Sequence, residues 1–361
     1  MKKWLVYLLL LSGSINAQVQ VLSGYIYDEA EKKPLEGAYV YLDGTTFSSG
    51  TDARGFFRIS VPHTYNTQLV ISYVGFETMR VNNPFQYNKS IKVFLREDAT
   101  ELDEVVITNR SPFTRRQMLR VFREQFLGRS KAGRSCKIEN EDDIYVYYDE
   151  STYTLKARCN KPIRVLNKEL EYKLAFDLMG FEVTYSTTSL DENRMRKSFF
   201  AGTTSFTDVA LKGFADKKRK KAYVGSVVHL MQTISEGDWE KQKFSLYIDR
   251  LPANPQDYFS VSDSLNYKKV TLNDSLINAT HPAPKIEGIS NIKLPPAYKK
   301  LDFTILHNMD TRMQSAINFE RPTFYIDRNG LFFPLDAMLF KGYMGTLKAG
   351  DLLPTDYVYT P

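Results

Sequence analysis

The side chains with the widest chemical reach are few: His63, His229, His281, His307, Cys136 and Cys159 are all the histidines and cysteines among 361 residues. A zinc hydrolase needs histidines and a carboxylate at fixed helical spacing, as in a His-Glu-x-x-His run, so that one face supplies both ligands and base. No histidine here stands in such an arrangement. A Gly-x-Ser-x-Gly elbow, a Gly-Lys-Ser/Thr phosphate loop and a dinucleotide fingerprint are absent as well. What remains is Tyr223, Ser226 and His229, which follow one another at three-residue steps and would be neighbours along one helix surface. Ser226 is then a candidate nucleophile and His229 its base. No carboxylate identifiable in the sequence would orient the histidine, and the same edge could simply hydrogen-bond to a sheet. Nothing calls for a metal or a cofactor, and the expected protein is not an enzyme.

Two further sets of residues invite chemistry. Cys136 and Cys159 lie 23 positions apart. In an oxidising compartment they could pair, closing a loop worth about 3 kcal/mol, or remain two separate buried thiols. Lys217, Lys218, Arg219, Lys220 and Lys221 form five consecutive cations at a predicted helix start, where the helix dipole disfavours positive charge. That placement admits an anion-binding reading, such as lipopolysaccharide or phosphate. Consecutive residues also spread around a helix, which favours plain solvated charge. Asp28, Asp43 and Asp52 lie near turns, but no loop has the regularly spaced oxygens of a dedicated calcium site.

The elements that would position these residues follow from composition and pattern. A hydrophobic fraction of 43% and a charged fraction of 25% exclude a disordered or collagen-like chain, and 23 Phe with 23 Tyr favour sheet. The net charge of +6 is too mild to imply nucleic acid. Residues 1–17 combine Lys2 and Lys3 with an apolar run from Trp4 to Leu11 and a small-residue end at Ala17, the signature of a cleaved signal peptide. The apolar run is too short to span a bilayer, and no other segment qualifies, so no transmembrane segment is expected after cleavage. Gln18 after the cleavage point leaves no cysteine for a lipid anchor.

From 18 to 96 short β-prone runs alternate with turn signals, giving about seven strands. Six of them fall at Val19–Asp28, Ala38–Leu42, Ser49–Thr51, Phe56–Val61, Gln68–Tyr73 and Lys89–Leu95. Beyond it, Phe113–Phe126 has helical periodicity and ends at Gly128; Ile144–Tyr148 and Tyr153–Cys159 form a hairpin. Further strands are predicted at Ile163–Leu166, Tyr172–Leu178, Phe181–Ser186 and Phe199–Phe206, and one helix from Asp216 to Ser235. The proline-studded stretch from Ile248 to Lys299 reads as loop-rich. Strands return at Leu301–Leu306 and Thr323–Asp327, followed by an Asn329-Gly330 hairpin turn.

Several blocks carry a family resemblance. Ser23-Gly24-Tyr25-Ile26-Tyr27-Asp28, Pro34-Leu35-Glu36-Gly37-Ala38, Gly50-Thr51-Asp52-Ala53-Arg54-Gly55 and Leu69-Val70-Ile71-Ser72-Tyr73-Val74-Gly75-Phe76 resemble the carboxypeptidase-regulatory-like domain family. That resemblance implies a transthyretin-like, Ig-like β-sandwich, a module of exported Bacteroidota proteins with no peptidase chemistry of its own. Thr100-Glu101-Leu102-Asp103-Glu104-Val105-Val106-Ile107-Thr108, within a linker at 97–112, resembles the segment that joins this module to the plug of TonB-dependent transporters. The 253 residues after it are too few for a plug and a barrel of about 22 strands. Residues 113–361 resemble the C-terminal region of exported proteins carrying the same module and read as an α+β domain dominated by antiparallel sheet. Asp263-Ser264-Leu265 and Asp274-Ser275-Leu276 resemble O-glycosylation acceptors, with Ser264 and Ser275 as the modified residues. The expected function is a non-enzymatic binding or adaptor protein of the cell envelope, periplasmic or at the outer membrane, with a protein or a glycan as partner. Its rivals are an accessory of a TonB-dependent uptake system and a hydrolase of unrecognised type.

Overall fold

The computed structural model describes residues 19–87, 89–98, 111–211, 213–248, 250–273 and 302–360. The leader at 1–17, most of the linker with its 100–108 segment, His281 and Ser275 lie outside the described residues. Two compact units result: residues 19–98 with Thr203–Phe206, and the remaining described residues from 111 onward.

Seven strands build the first unit: β1 (Gln20–Asp28), β2 (Tyr39–Leu42), β3 (Ser48–Gly50), β4 (Phe56–Val61), β5 (Leu69–Ser72), β6 (Met79–Val81) and β7 (Ile91–Leu95). They form a three-stranded sheet in the order β4-β1-β7 and a four-stranded sheet in the order β3-β2-β5-β6. Strict period-2 alternation decides the faces: in β1, Leu22, Gly24, Ile26 and Asp28 turn inward. Leu22, Ile26, Val40, Leu42, Phe57, Ile59, Leu69, Ile71, Val93 and Leu95 make the core between the sheets. β1 pairs antiparallel with β4 and parallel with β7. Gly24 cannot be enlarged, since a Cβ would stand 2.2 Å from the Ile91 carbonyl oxygen.

In the second unit, β8 (Cys136–Ile138), β9 (Ile144–Asp149), β10 (Thr154–Cys159), β11 (Ile163–Asn167) and β12 (Tyr172–Tyr185) form one sheet in the order β8-β11-β12-β10-β9, with β13 (Met195–Asp208) also on β12. Helix α1 (Arg115–Leu127) begins in a capping box: Thr114 accepts from the Gln117 amide, and Gln117 accepts from the Thr114 amide. Its Phe122 and Phe126 rings pack on Phe181 and Phe176. A short helix, α2 (Lys131–Ser135), follows. Next come α3 (Asp216–Tyr223) and α4 (Val227–Glu236).

The chain ends in two antiparallel sheets. One is β15-β14-β18-β19-β22, from β14 (Phe244–Ile248), β15 (Leu251–Ala253), β18 (Asp302–His307), β19 (Ser315–Phe319) and β22 (Met338–Gly342); the other is β16-β17-β20-β21, from β16 (Phe259–Ser264), β17 (Tyr267–Leu272), β20 (Thr323–Asp327) and β21 (Phe332–Phe333). Leu230, Met231 and Ile234 of α4 enter the core shared by these sheets. No helix among the described residues is long and apolar enough to cross a membrane. The fold class is therefore as expected: an all-β Ig-like sandwich followed by an α+β part dominated by antiparallel sheet.

Three elements depart from the sequence reading. The two strands expected at Tyr172–Leu178 and Phe181–Ser186 are one 14-residue strand, β12. Its inward residues shift phase between Leu178 and Phe181, at Met179-Gly180, so the pattern reads as a break although the backbone continues. The helix expected from Asp216 to Ser235 is two, divided at Gly225, whose φ of 76° a helix cannot contain. Part of the expected loop-rich stretch is the β16–β17 hairpin, closed by Leu265 and Asn266 in a two-residue turn.

Candidate functional site

The division at Gly225 dissolves the expected Tyr-Ser-His edge. Ser226 caps α4: its Oγ accepts from the His229 amide at 3.2 Å, so the hydroxyl serves the backbone. His229 is 3% exposed. Its Nδ1 accepts from the Gly225 amide at 3.0 Å, which leaves the proton on Nε2 to be donated to Gln242 Oε1, also at 3.0 Å. Gln242 Nε2 in turn donates to Asp238 Oδ2 at 2.8 Å. Burial holds the His229 ring below its ordinary pKa, so it is neutral, and both its nitrogens are occupied. Tyr223 donates to Gln232 Oε1 and packs on His229 and Tyr359. The constellation is a structural hydrogen-bond chain that ties the start of α4 to the turn before β14. Both ring nitrogens of the histidine are occupied, and the serine Oγ accepts from the first turn of its own helix.

The other candidates are placed as follows. Cys136 and Cys159 are free thiols. Strands β8 and β10 stand three strand spacings apart in the sheet, about 14 Å, beyond the roughly 7 Å between Cα atoms that a disulfide tolerates. Of the two readings the separate thiols hold, each donating to a carbonyl, Cys136 to Ala132 and Cys159 to Asp143. Asp28, Asp43 and Asp52 each accept backbone amides, from Ala30, Thr204 and Phe56 respectively. Ser264, expected in a loop, is the last residue of β16 at a tight hairpin, and the neighbouring Asp263 is paired with Lys268 at 2.6 Å.

The basic run proves unequal. Arg219 is buried, although all five cations were expected in solvent. Its guanidinium grips both Asp208 oxygens at 2.7 and 2.8 Å, donates to the carbonyls of Leu170 and Glu171, and lies 3.7 Å over the Tyr172 ring. Lys218 reaches Glu171 at 3.3 Å. Lys217, Lys220 and Lys221 are exposed.

The surface best built for recognition lies on the sandwich, where sequence reasoning did not place it. Period 2 sends Tyr25 and Tyr27 to the outer face of the three-stranded sheet, opposite the buried Ile26. Register then sets Tyr25 beside Phe56 and Tyr27 beside Phe94. Ring centroids follow at 5.2 Å from Phe56 to Tyr25, 6.3 Å from Tyr25 to Tyr27 and 5.5 Å from Tyr27 to Phe94. The Lys32 ammonium lies 4.8 Å from the Phe94 ring. Phe94 also lines a groove of about 720 Å³ between the outermost strands β6 and β7, with Met79, Val81, Ile91 and Val93. A sheet face in water normally alternates to polar side chains; four contiguous rings on it are the exception. The Tyr25-Ile26-Tyr27 alternation was the signal in the sequence. A second cavity, about 500 Å³ beside α1, is lined by Arg120, Arg129, Glu124 and Glu192. There Arg129 is neutralised by both glutamates.

The first unit is an Ig-like β-sandwich, and residues 22–107 match the family model of the CarboxypepD_reg-like domain. No curated protein matches the chain. Among solved structures it is similar to two interface mutants of a type II cohesin–X-dockerin complex from Acetivibrio cellulolyticus. One match has 25% identity and a TM-score of 0.18 and covers 20% of this chain and 52% of that one. The other has 24% identity and a TM-score of 0.17 and covers 21% and 52%. The matches span about half the length of those solved chains.

Proposed function

We propose that the protein is a non-enzymatic, exported binding or adaptor protein of the cell envelope, and that it recognises a protein partner through the outer face of its sandwich. The aromatic strip Phe56-Tyr25-Tyr27-Phe94 carries this reading. Tyrosine and phenylalanine are the residues that recur in the cores of protein interfaces, because rigid rings bury much area at little entropic cost. Lys32 and the polar edge of the sheet supply the rim. The leader-like residues 1–17 support export, and the match at 22–107 supports an accessory role for the module. Ser226 and His229 each have a structural partner, which supports a structural over a nucleophilic role for them.

The test is affinity capture from native envelope fractions with the chain from Gln18 onward, beside a variant carrying Tyr25→Ser, Tyr27→Ser and Phe94→Ser. A partner held by the first and lost by the second, with unchanged circular dichroism, is the expected result. An identical set of captured proteins would refute the assignment to this face.

A further inference from the structure

The turn between β13 and α3 combines two features that water alone does not explain. Leu211 and Phe214 are 71% and 72% exposed. They are also adjacent in space: the Phe214 amide donates to the Leu211 carbonyl at 3.0 Å, and Gly213 has a φ of 79°, so the Cα atoms of Leu211 and Phe214 lie within about 7 Å. The turn is held at its root, because Asp208 accepts from the Ala210 amide while clamped by the Arg219 guanidinium. Arg219 thereby fixes the turn against α3, the helix that presents Lys217, Lys220 and Lys221. Among the described residues none of these three lysines has a carboxylate within ion-pair distance. Of the acids on these elements, Asp208 is committed to Arg219, Glu171 to Lys218, and Asp216 stands among three lysines, of which Lys220 also lies 5.5 Å from the Tyr359 ring.

An exposed apolar tip next to exposed lysines that no carboxylate neutralises is the two-signal arrangement that holds a folded domain to an anionic bilayer. A protein-binding surface differs, since lysine is depleted from such interfaces and apolar residues gather at their centre. We propose that this turn is a membrane-surface anchor: Leu211 and Phe214 enter the headgroup–acyl boundary of an anionic phospholipid bilayer, and Lys217, Lys220 and Lys221 rest on its phosphates. The site shares no residue with the aromatic strip, so either assignment can fail without the other.

Sedimentation with vesicles tests it, using the chain from Gln18 onward, which contains every described residue. Vesicles of phosphatidylcholine alone are compared with vesicles containing phosphatidylglycerol. The expected result is binding to the anionic vesicles that weakens with salt. Leu211→Ser/Phe214→Ser should lower that partitioning about a hundredfold. Lys217→Gln/Lys220→Gln/Lys221→Gln should lower it similarly, at about fivefold for each lysine. Both variants should keep the parental melting curve, since no replaced group is buried. A Phe214→Trp reporter should shift to shorter emission wavelength on anionic vesicles only. Equal binding to both vesicle types, undiminished binding by either variant, or no binding to anionic vesicles would overturn the proposal.

Discussion

Replacing Arg219 by alanine isolates what one buried cation contributes to the second unit. The substitution removes a bidentate contact to Asp208, two bonds to the Leu170 and Glu171 carbonyls and the stack on Tyr172. Breaking a buried pair by deleting one partner costs about 3–5 kcal/mol. The Asp208 side chain is 48% exposed and regains water when released, which places the expected loss at the low end, about 3 kcal/mol. For a unit of this size each kcal/mol moves the melting midpoint by about 2–4 °C, so Arg219→Ala should melt about 6–12 °C lower. Arg219→Lys keeps the charge but not the planar fork and should recover only part of the difference. Differential scanning calorimetry reads this directly, with Lys217→Ala as the exposed control from the same run. A shift for Arg219→Ala no larger than that of Lys217→Ala would refute the reading of Arg219 as the buried anchor of the basic run.

Two further outcomes follow from the described geometry. Burial holds His229 and His307 below their ordinary pKa of 6.5, so below that pH the unfolded chain binds protons the native state refuses. Stability should be complete above about pH 7 and fall as the pH drops toward 5; urea midpoints that stay level across that window would contradict the buried, neutral rings. The two thiols should leave the melting curve indifferent to reducing agent. Cys136, its thiol pushed up to about 12 by burial, should alkylate slowly near neutral pH, and a change in gel mobility on reduction would contradict the separation of β8 from β10.

The first unit was largely legible because its strands obey a single rule. In β4 every inward side chain is apolar, and β1 departs from that only at Gly24 and the terminal Asp28, so alternation marks strands and faces. Legibility failed where two local signals competed. At Met179-Gly180 a phase slip mimicked a strand end, and at Gly225 a positive φ interrupted a periodicity that otherwise runs on. The β16–β17 hairpin was hidden because Leu265, at φ 55°, occupies a turn position where glycine or asparagine is the usual signal. The candidate site was read less well. Ser226 and His229 were found by spacing, but a helix cap and a buried imidazole have the same sequence spacing as a nucleophile and its base. The aromatic strip depends on the register of β1 with β4 and β7, and Arg219 on contacts nearly 50 positions away; neither is a local property.

The central claim, a binding protein that uses the outer face of its sandwich, is tested most directly by cross-linking at that face. A photoreactive amino acid placed at Tyr27 in the chain from Gln18 onward, irradiated in native envelope fractions, should yield one dominant adduct. The same probe at the exposed Lys217 should not yield it, and Phe94→Ser should abolish it. An adduct formed equally from both positions, or none from Tyr27, would contradict the account.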